Sequence, residues 1–179
     1  MADFSKAILR LLQNEGDYDA PDPDDPGGET FRGVARAFTP EWIGWPMIDA
    51  AKKQPGFPRS LDADSALQQA VIDFYRTTYW LYDGIDNQDV ATKVLDMCVN
   101  MGQRGGMGCV QRAVQTCIAG PIVVDGLYGQ QTERAINAID PATLLRELRF
   151  QSVDHYCRIV LAMPSKQKFL VGWLRRGVQ

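Results

Sequence analysis

The sequence contains few of the residues on which several classes of enzyme and metalloprotein depend. It has one histidine, His155, so a Ser-His-Asp or Cys-His mechanism would have to use that residue. We interpret His155, which lies in a late amphipathic segment, as structural. The four cysteines, Cys98, Cys109, Cys117 and Cys157, lack the close paired spacing of a zinc site. We therefore expect buried free thiols, no metal site and no organic cofactor.

Long apolar runs are also absent from the sequence. No stretch reaches the roughly 18 consecutive apolar residues that predict a transmembrane helix. The N-terminus shows no basic segment followed by an apolar one, the pattern of a signal peptide. We expect a protein that is synthesised in the cytoplasm and has no stable membrane insertion.

The charge is small in total but unevenly distributed. A net charge of −3 and a pI near 5.1 argue against a nucleic-acid-binding protein. Residues 1–90 carry 8 Lys+Arg and 16 Asp+Glu, or −8, whereas residues 91–179 carry 11 and 6, or +5. An acidic front half and a basic back half are typical of a catalytic part followed by a part that touches an anionic polymer, although solvated helix faces would give the same pattern.

Helical periodicity dominates the sequence, and strand-like alternation is almost absent, so we predict a mainly α fold. Apolar residues from Phe4 to Leu12 recur at helical spacing, with Asp3 or Ser5 as the cap and Gly16 at the end. Residues 17–30 predict an acidic loop, and the proline-rich residues 31–60 predict a small hairpin or a short helix. Further helices are predicted from residue 64 to 79 and at about 88–102, 107–119, 129–138, 141–162 and 166–175.

We predict two parts that pack as one compact unit. The first covers residues 1–90 and the second covers residues 91–179, because the acidic loop precedes this boundary and the basic helices follow it. The pair Asp125-Gly126 predicts a tight turn within the second part.

Glu15 is the most informative acid. It stands at the end of the first amphipathic helix, where partial burial and the negative end of the helix dipole would both raise the pKa of its carboxyl group. Glycosidic cleavage needs such a protonated acid for the leaving oxygen. The alternative is an ordinary Glu-Gly helix end followed by an acidic surface loop or a weak calcium site, although the spacing of the acids does not fit an EF-hand.

A glycosidase also needs a second carboxylate that stays ionised. The acidic loop supplies several polar and solvated candidates, which are Asp17, Asp19, Asp22, Asp24, Asp25 and Glu29. One shielded acid beside ionised carboxylates is the arrangement expected of a lysozyme.

Two short motifs around this loop carry a resemblance. Glu15-Gly16-Asp17-Tyr18, and then Asp25-Pro26-Gly27-Gly28-Glu29-Thr30 with Gly33, resemble the N-terminal signature of the glycoside hydrolase 108 family of bacterial and phage muramidases. Later motifs resemble the same family and the predicted peptidoglycan-binding region that follows in it: Tyr79-Trp80, Val99-Asn100-Met101-Gly102, Val110-Gln111-Arg112-Ala113, Asp125-Gly126-Leu127-Tyr128-Gly129 with Thr132, and Gly172-Trp173-Leu174-Arg175-Arg176.

The resemblance implies a lysozyme-like hydrolase of the β-1,4 bond between N-acetylmuramic acid and N-acetylglucosamine. By this likeness Glu15 is the general acid, Asp25 or its neighbour Asp24 assists, and Thr30 positions a water or the carboxylate. Two departures stand out. Asp17 occupies the second glycine position of the E-G-G-Y signature, where a positive φ would strain it, and the spacer before Pro26 is one residue longer, with Asp24-Asp25 doubled.

Other residues are candidates for binding the sugar chain. Tyr18 belongs to the signature, and Trp42 and Trp45 lie in an irregular stretch where exposed rings would suit pyranose stacking. We interpret Trp80 as core. Asn100 and Gln103 could bond an N-acetyl group or only cap a helix. A further set of basic residues, Arg104, Arg112, Arg175 and Arg176, could meet peptide-stem carboxylates or be solvated surface.

Two other functions remain open at this point. A lytic transglycosylase needs one glutamate and yields anhydro-muramic ends, and a non-catalytic peptidoglycan-binding module would keep the fold without cleaving. The expected partner is the glycan strand of peptidoglycan. The expected setting is a bacteriolytic phage endolysin that acts in the periplasm after release by a holin, or a secreted antibacterial effector with an immunity protein.

Overall fold

The structure, a computed structural model, describes residues 1–13, 17–21, 27–118 and 120–179. These residues form a mainly α, lysozyme-like fold with a small antiparallel sheet, as the sequence predicts. The helices are α1 Phe4–Leu12, α2 Gly44–Ala51, α3 Ser65–Tyr79, α4 Gln88–Met101, α5 Gln103–Cys117, α6 Gln130–Asn137, α7 Pro141–Ala162 and α8 Leu170–Gly177, with 3-10 helices at Arg59–Ala63 and Pro164–Phe169. The strands are β1 Tyr18–Asp19, β2 Thr30–Phe31 and β3 Val34–Ala35.

Most of the longer helices start with an N-cap, a short polar side chain that accepts a hydrogen bond from a free backbone N–H group of the first turn. The Asp3 carboxylate accepts from Ser5 N at 2.8 Å at the start of α1, which selects Asp3 from the two predicted caps. Asp64 accepts from Leu67 N at 3.0 Å before α3. Asn87 and Asp140 cap α4 and α7 in the same way.

The small sheet differs in part from the expected loop. β1 pairs with β2, so residues 18 and 19 are strand and not loop, with Tyr18 opposite Phe31 and Asp19 opposite Thr30. β2 turns into β3 through Arg32 and Gly33, which both have positive φ, at 45° and 80°. This matches the twist of a tight two-residue hairpin. The segment 31–60 holds both a hairpin and a short helix, where the sequence predicted one or the other.

Contacts divide the chain into two compact units, one of residues 1–11 and 79–179 and one of residues 12–78. We call them the helical unit and the sheet unit. Residue 90, where the sequence predicts a boundary, lies within the helical unit, and the N-terminal segment of this unit bonds to residues just before and at the start of α4. Ala2 N donates to Ile85 O at 2.7 Å, and Asp3 N donates to the Gln88 side chain at 2.8 Å.

The core of the helical unit lies where α4, α5 and α7 pack together. Its fully buried side chains include Val94, Leu95, Met97, Val110, Val114, Leu144 and Leu148. Lys93 is also buried, and its Nζ donates to the carbonyl of Gly177 at 2.9 Å and lies 3.5 Å from Asp96. A lysine at a helix C-terminus satisfies carbonyls that the helix leaves free, so Lys93 fastens the end of α8. Where the sequence predicts a single helix at 166–175, the structure has the 3-10 helix Pro164–Phe169 followed by α8.

The core of the sheet unit is smaller and richer in aromatic residues. Phe31, Val34, Trp45, Ile48, Leu61, Leu67, Val71 and Tyr75 are buried in it. The Tyr75 hydroxyl donates to Arg32 O at 2.9 Å, which ties α3 to the turn between β2 and β3. None of the helices in the described ranges combines the length and the apolar composition that a membrane span requires.

Candidate functional site

The residues predicted to carry the reaction fall in two groups. Glu15, Asp24 and Asp25 lie outside the described residues, as do Gly16 and Asp22. Tyr18 and Thr30 lie inside them, on neighbouring strands of the small sheet. The pairing of Asp19 with Thr30 joins the two chain segments that precede and follow residues 22–26.

Thr30 and Tyr18 are both half-buried and differ in what their hydroxyl groups bond. The Thr30 Oγ1 donates to Gly28 O at a long 3.3 Å, so it retains lone pairs that can accept a further hydrogen bond. The Tyr18 hydroxyl donates to Glu29 Oε1 at 2.9 Å, and its ring meets Phe57 edge-on with 4.8 Å between centroids. Tyr18 is thus held in one orientation from both ends.

Glu29 is the centre of a charged cluster that the sequence did not predict. We expected it to be solvated, and this is wrong, because its side chain is 5% exposed. Oε1 lies 2.6 Å from Lys52 Nζ and Oε2 lies 2.8 Å from Arg36 Nε. With the Tyr18 hydroxyl as a third partner, the carboxylate is fully engaged, so its role is to hold neighbouring groups in place.

Asp49 completes the cluster from the side of α2. Both of its oxygens bond the Arg36 guanidinium, at 2.7 and 3.0 Å, and one lies 3.1 Å from Lys52 Nζ. The Arg36 guanidinium also stacks on the ring of Trp45, 4.5 Å from its centroid. We call Tyr18, Glu29, Arg36, Asp49 and Lys52 the Glu29 cluster; two carboxylates balance two cations in it.

The cluster shifts the pKa values of its members. The hydrogen bond from Arg36, and then that from Lys52, lower the pKa of Asp49 to about 2. Burial, together with the hydrogen bond to Glu29, raises the pKa of the Tyr18 phenol. Burial opposes the charge of Lys52, but its hydrogen bonds to Glu29 and Asp49 outweigh this and raise its pKa. Arg36, Asp49 and Lys52 therefore stay ionised at neutral pH, and Tyr18 stays neutral.

Asp17, the departure from the signature, contacts the turn between β2 and β3. Arg32 N donates to Asp17 O at 2.9 Å, and Arg32 Nη2 lies 3.8 Å from the Asp17 carboxylate. An aspartate is therefore accommodated where the family signature has its second glycine.

Trp42 and Trp45 are not exposed, and the expectation that they form open stacking platforms is wrong. Their side chains are buried, and their rings meet edge-on with 5.1 Å between centroids. The Trp45 indole N–H donates to Thr39 O at 2.7 Å, and that of Trp42 donates to Ala70 O at 3.3 Å. Each indole buries its apolar surface and still satisfies its N–H, as in a core residue.

The other predicted binding residues lie in the helical unit. The Asn100 side chain donates to Asp96 O at 2.7 Å and to the Asp96 carboxylate at 3.2 Å, so it is bonded within α4. Gln103 is exposed at the first position of α5. Trp80 is buried against Phe4 and Tyr82, which confirms its interpretation as core.

The structure also divides the predicted basic set. Arg176 pairs with Asp96, with Nε 2.8 Å from the carboxylate, and so helps to hold α8 against α4. Arg104 and Arg175 are exposed, and Arg112 lines a surface groove with α7.

The cysteines form no disulfide bonds in the structure. All four cysteines are free; Cys98 and Cys109 are buried, whereas Cys117 and Cys157 are partly exposed, so the prediction of burial holds for two of them. Within the described ranges, no group of three or more His, Cys, Asp or Glu side chains is arranged to hold a metal ion.

Sequence reasoning missed Arg36, Asp49 and Lys52. Asp49 and Lys52 stand three residues apart at the end of α2, which is a recognisable helix pair. Their convergence on Glu29 joins the residue before β2, the segment after β3 and the C-terminal end of α2, and no local spacing predicts it.

Two family models match this sequence. The model of Glycosyl hydrolase 108 matches residues 8–102, and that of a Predicted Peptidoglycan domain matches residues 106–178. Among solved structures, the one described as "Structure of Brucella abortus SagA" aligns with a TM-score of 0.64 at 22% identity, covering 97% of this chain and 88% of that one. At this identity the likeness shows a shared fold. No curated protein has a matching sequence.

Proposed function

We propose, from the premise that this chain belongs to the glycosyl hydrolase 108 family and is a glycoside hydrolase acting on peptidoglycan, that it is an N-acetylmuramidase. The bond cleaved would be the β-1,4 link from N-acetylmuramic acid to N-acetylglucosamine. The observation that carries the proposal is the family match over residues 8–102, which includes both halves of the signature around the acidic loop.

In this proposal Glu15 is the general acid. It follows α1, whose apolar face is buried through Phe4, Ala7, Ile8 and Leu11. A carboxyl group near the C-terminal end of a helix would have its protonated form favoured by the negative end of the helix dipole. A protonated acid is what the departing glycosidic oxygen requires.

The assisting carboxylate would come from Asp25 or Asp24, with Thr30 positioning a water or that carboxylate. The described geometry supports a role for Thr30 in one respect. Its hydroxyl is half-buried, weakly bonded at 3.3 Å and fixed on β2, directly after the Glu29 that the cluster holds. The Glu29 cluster would then serve the reaction indirectly, by keeping β1 and β2 in register.

Digestion of purified peptidoglycan tests the proposal. The wild type, Glu15→Gln and the control Glu41→Gln, which changes an exposed glutamate of the same unit, would be incubated with peptidoglycan and the released muropeptides analysed by mass. We expect reducing muramic ends from the wild type and the control. The Glu15→Gln variant should lose activity by at least about a hundredfold, because general acid catalysis contributes roughly 10² to 10⁴ in rate.

Other outcomes would contradict the proposal. Anhydro-muramic ends would identify a lytic transglycosylase, and reducing N-acetylglucosamine ends would identify cleavage of the other glycosidic bond. A wild type that sediments with peptidoglycan but releases nothing would be a binding module. Full activity of Glu15→Gln would leave the muramidase but remove Glu15 as its acid.

A further inference from the structure

A groove on the surface of the helical unit combines charged, aromatic and titratable side chains. It has a volume of about 430 Å³ and lies between α5 and α7. Its lining residues are Arg112 from α5 and Phe150, Gln151, Asp154, His155 and Arg158 from α7. None of them belongs to the Glu29 cluster or to the ion pairs of Asp96 with Lys93 and Arg176.

The two arginines of the groove are in different states. Arg158 is paired with Asp154, with Nε 2.6 Å from the carboxylate, so these two charges cancel. Arg112 has no carboxylate within ion-pair distance among the residues that the structure describes. Its side-chain hydrogen bond goes to Cys109 Sγ at 2.9 Å, and a sulfur is a weak acceptor. The groove therefore presents one guanidinium whose charge is not neutralised.

The other side chains limit what can bind beside Arg112. Phe150 is 60% exposed and offers an apolar face. Burial, and next the positive charge of Arg112, lower the pKa of His155, while Asp154 acts in the opposite direction. His155 is thus uncharged at neutral pH, and the net charge of the groove is that of Arg112 alone. An anion with a single charge and a small apolar part fits this surface, and a guanidinium pairs best with a planar carboxylate.

We propose that this groove binds a free carboxylate of a short peptide, and that the peptide stems of peptidoglycan supply it. The choice of stem rests on the proposed function. All six lining residues lie within residues 106–178, which match the predicted peptidoglycan domain. The sugars of the glycan strand offer hydroxyl and amide groups, whereas the stems end in carboxylates. The groove would therefore hold the stem while the sheet unit works on the glycan.

The single histidine makes a direct test possible. Because the chain contains only His155, its ring protons give unambiguous signals in a proton NMR spectrum of the full chain. The protein would be titrated with acetyl-D-alanyl-D-alanine, with its C-terminal amide and with acetyl-L-alanyl-L-alanine. We expect a saturable shift of the His155 signals and a raised His155 pKa with the D-configured acid, because a carboxylate stabilises the protonated ring. The amide should give neither.

Variants identify the residue responsible. Arg112→Gln should weaken binding of the acid by about tenfold or more, since it removes a charged hydrogen-bond donor. The matched control is Arg146→Gln, an exposed arginine of α7 outside the groove, which should bind like the wild type. Far-UV circular dichroism spectra equal to that of the wild type would show that both unbound variants are folded.

Each contrary result overturns a defined part of the inference. No saturable shift, or an equal shift with the amide, removes the carboxylate site. Equal binding by Arg112→Gln removes Arg112 from it. Equal binding of the L-configured acid points to protein C-termini and overturns the choice of stem. None of these binding measurements requires cleavage of peptidoglycan. If the protein is an active muramidase but the groove binds no carboxylate, only this inference fails. If the groove binds the carboxylate but the protein is inactive, only the proposed function fails.

Discussion

In the helical unit two helix backbones approach each other closely, whereas the sheet unit buries a carboxylate among charged side chains. At Gly106 in α5, an added Cβ would come within 2.6 Å of Cys98 Cα and Met97 O in α4. Around Glu29, two cations and a phenol surround one buried carboxylate. Long helices bury enough apolar surface to define their own packing, while strands of two residues do not.

This difference indicates which kinds of substitution should destabilise each unit. Apolar packing at van der Waals distance tolerates neither added volume nor a cavity, and it contains no group that titrates. A cluster of charges depends in addition on which groups are ionised. We therefore expect substitutions in the helical unit to act through volume, and substitutions in the Glu29 cluster to act through charge.

The largest effect should come from Gly106→Ala. The methyl group would meet backbone atoms of α4, which cannot rotate away, so α5 would have to shift. We expect a loss of about 3 kcal/mol or more in the free energy of unfolding. Denaturant unfolding followed by circular dichroism would measure it, and the loss should be the same at low and high salt.

The neighbouring glycine supplies a matched control for this substitution. At Gly105 the nearest atom to an added Cβ is Met101 Cβ at 3.7 Å, an ordinary contact. Gly105→Ala should therefore stabilise the protein by about 0.5–1 kcal/mol, since alanine is the better helix former. Equal effects at the two glycines would contradict the close approach of α4 and α5.

A smaller effect is expected from Lys52→Met, which tests the sheet unit. It removes the 2.6 Å contact to Glu29 and the 3.1 Å contact to Asp49 but leaves Arg36 on both carboxylates. We expect a loss of about 1–2 kcal/mol in the free energy of unfolding. Because the Lys52 side chain is one-third exposed, added salt should reduce this loss.

Lys53→Met is the control for this substitution. Lys53 is the exposed neighbour of Lys52, and no ion pair joins it to the described residues. Its replacement should change the free energy of unfolding by less than about 0.5 kcal/mol. If both lysine variants behaved alike, the Glu29 cluster would contribute nothing specific to stability.

The same contrast explains which parts of the fold the sequence predicts. The helices α3, α4 and α7 contain several turns of apolar periodicity, so their positions are predicted to within a few residues. β1 has two residues, too few for an alternating pattern, and was expected to be loop. The proline-rich segment that contains Trp42 and Trp45 suggested exposure, because nothing local shows that Thr39 O and Ala70 O receive the indole N–H groups.

The candidate site is predictable to a similar extent. Its motif residues stand close together in the sequence, and Tyr18 and Thr30 do lie on adjacent strands. The sequence alone places Glu29 among the solvated acids because its cations are non-local; Lys52 is 23 positions away along the sequence. Burial of a charge depends on such partners, and a single sequence does not reveal them.

The smallest expected effect is the change with pH in the free energy of unfolding that Asp49 contributes. Its pKa is about 2 in the folded chain against 3.8 for an unperturbed aspartate, chiefly because of the Arg36 hydrogen bonds. A carboxylate with a lowered folded pKa contributes stability that is fully present above pH 3.8 and is lost as the pH falls through about 2. The difference in the free energy of unfolding between the wild type and Asp49→Asn should therefore narrow between pH 4 and pH 2.

Since lysine does not titrate in this range, the small difference for Lys53→Met should stay constant there. The side chain of Asp49 is 46% exposed, so solvent screens its ion pairs and the change should be modest. A gap for Asp49→Asn that is independent of pH would mean that Asp49 acts through its shape, and the sheet unit would then resemble the helical unit.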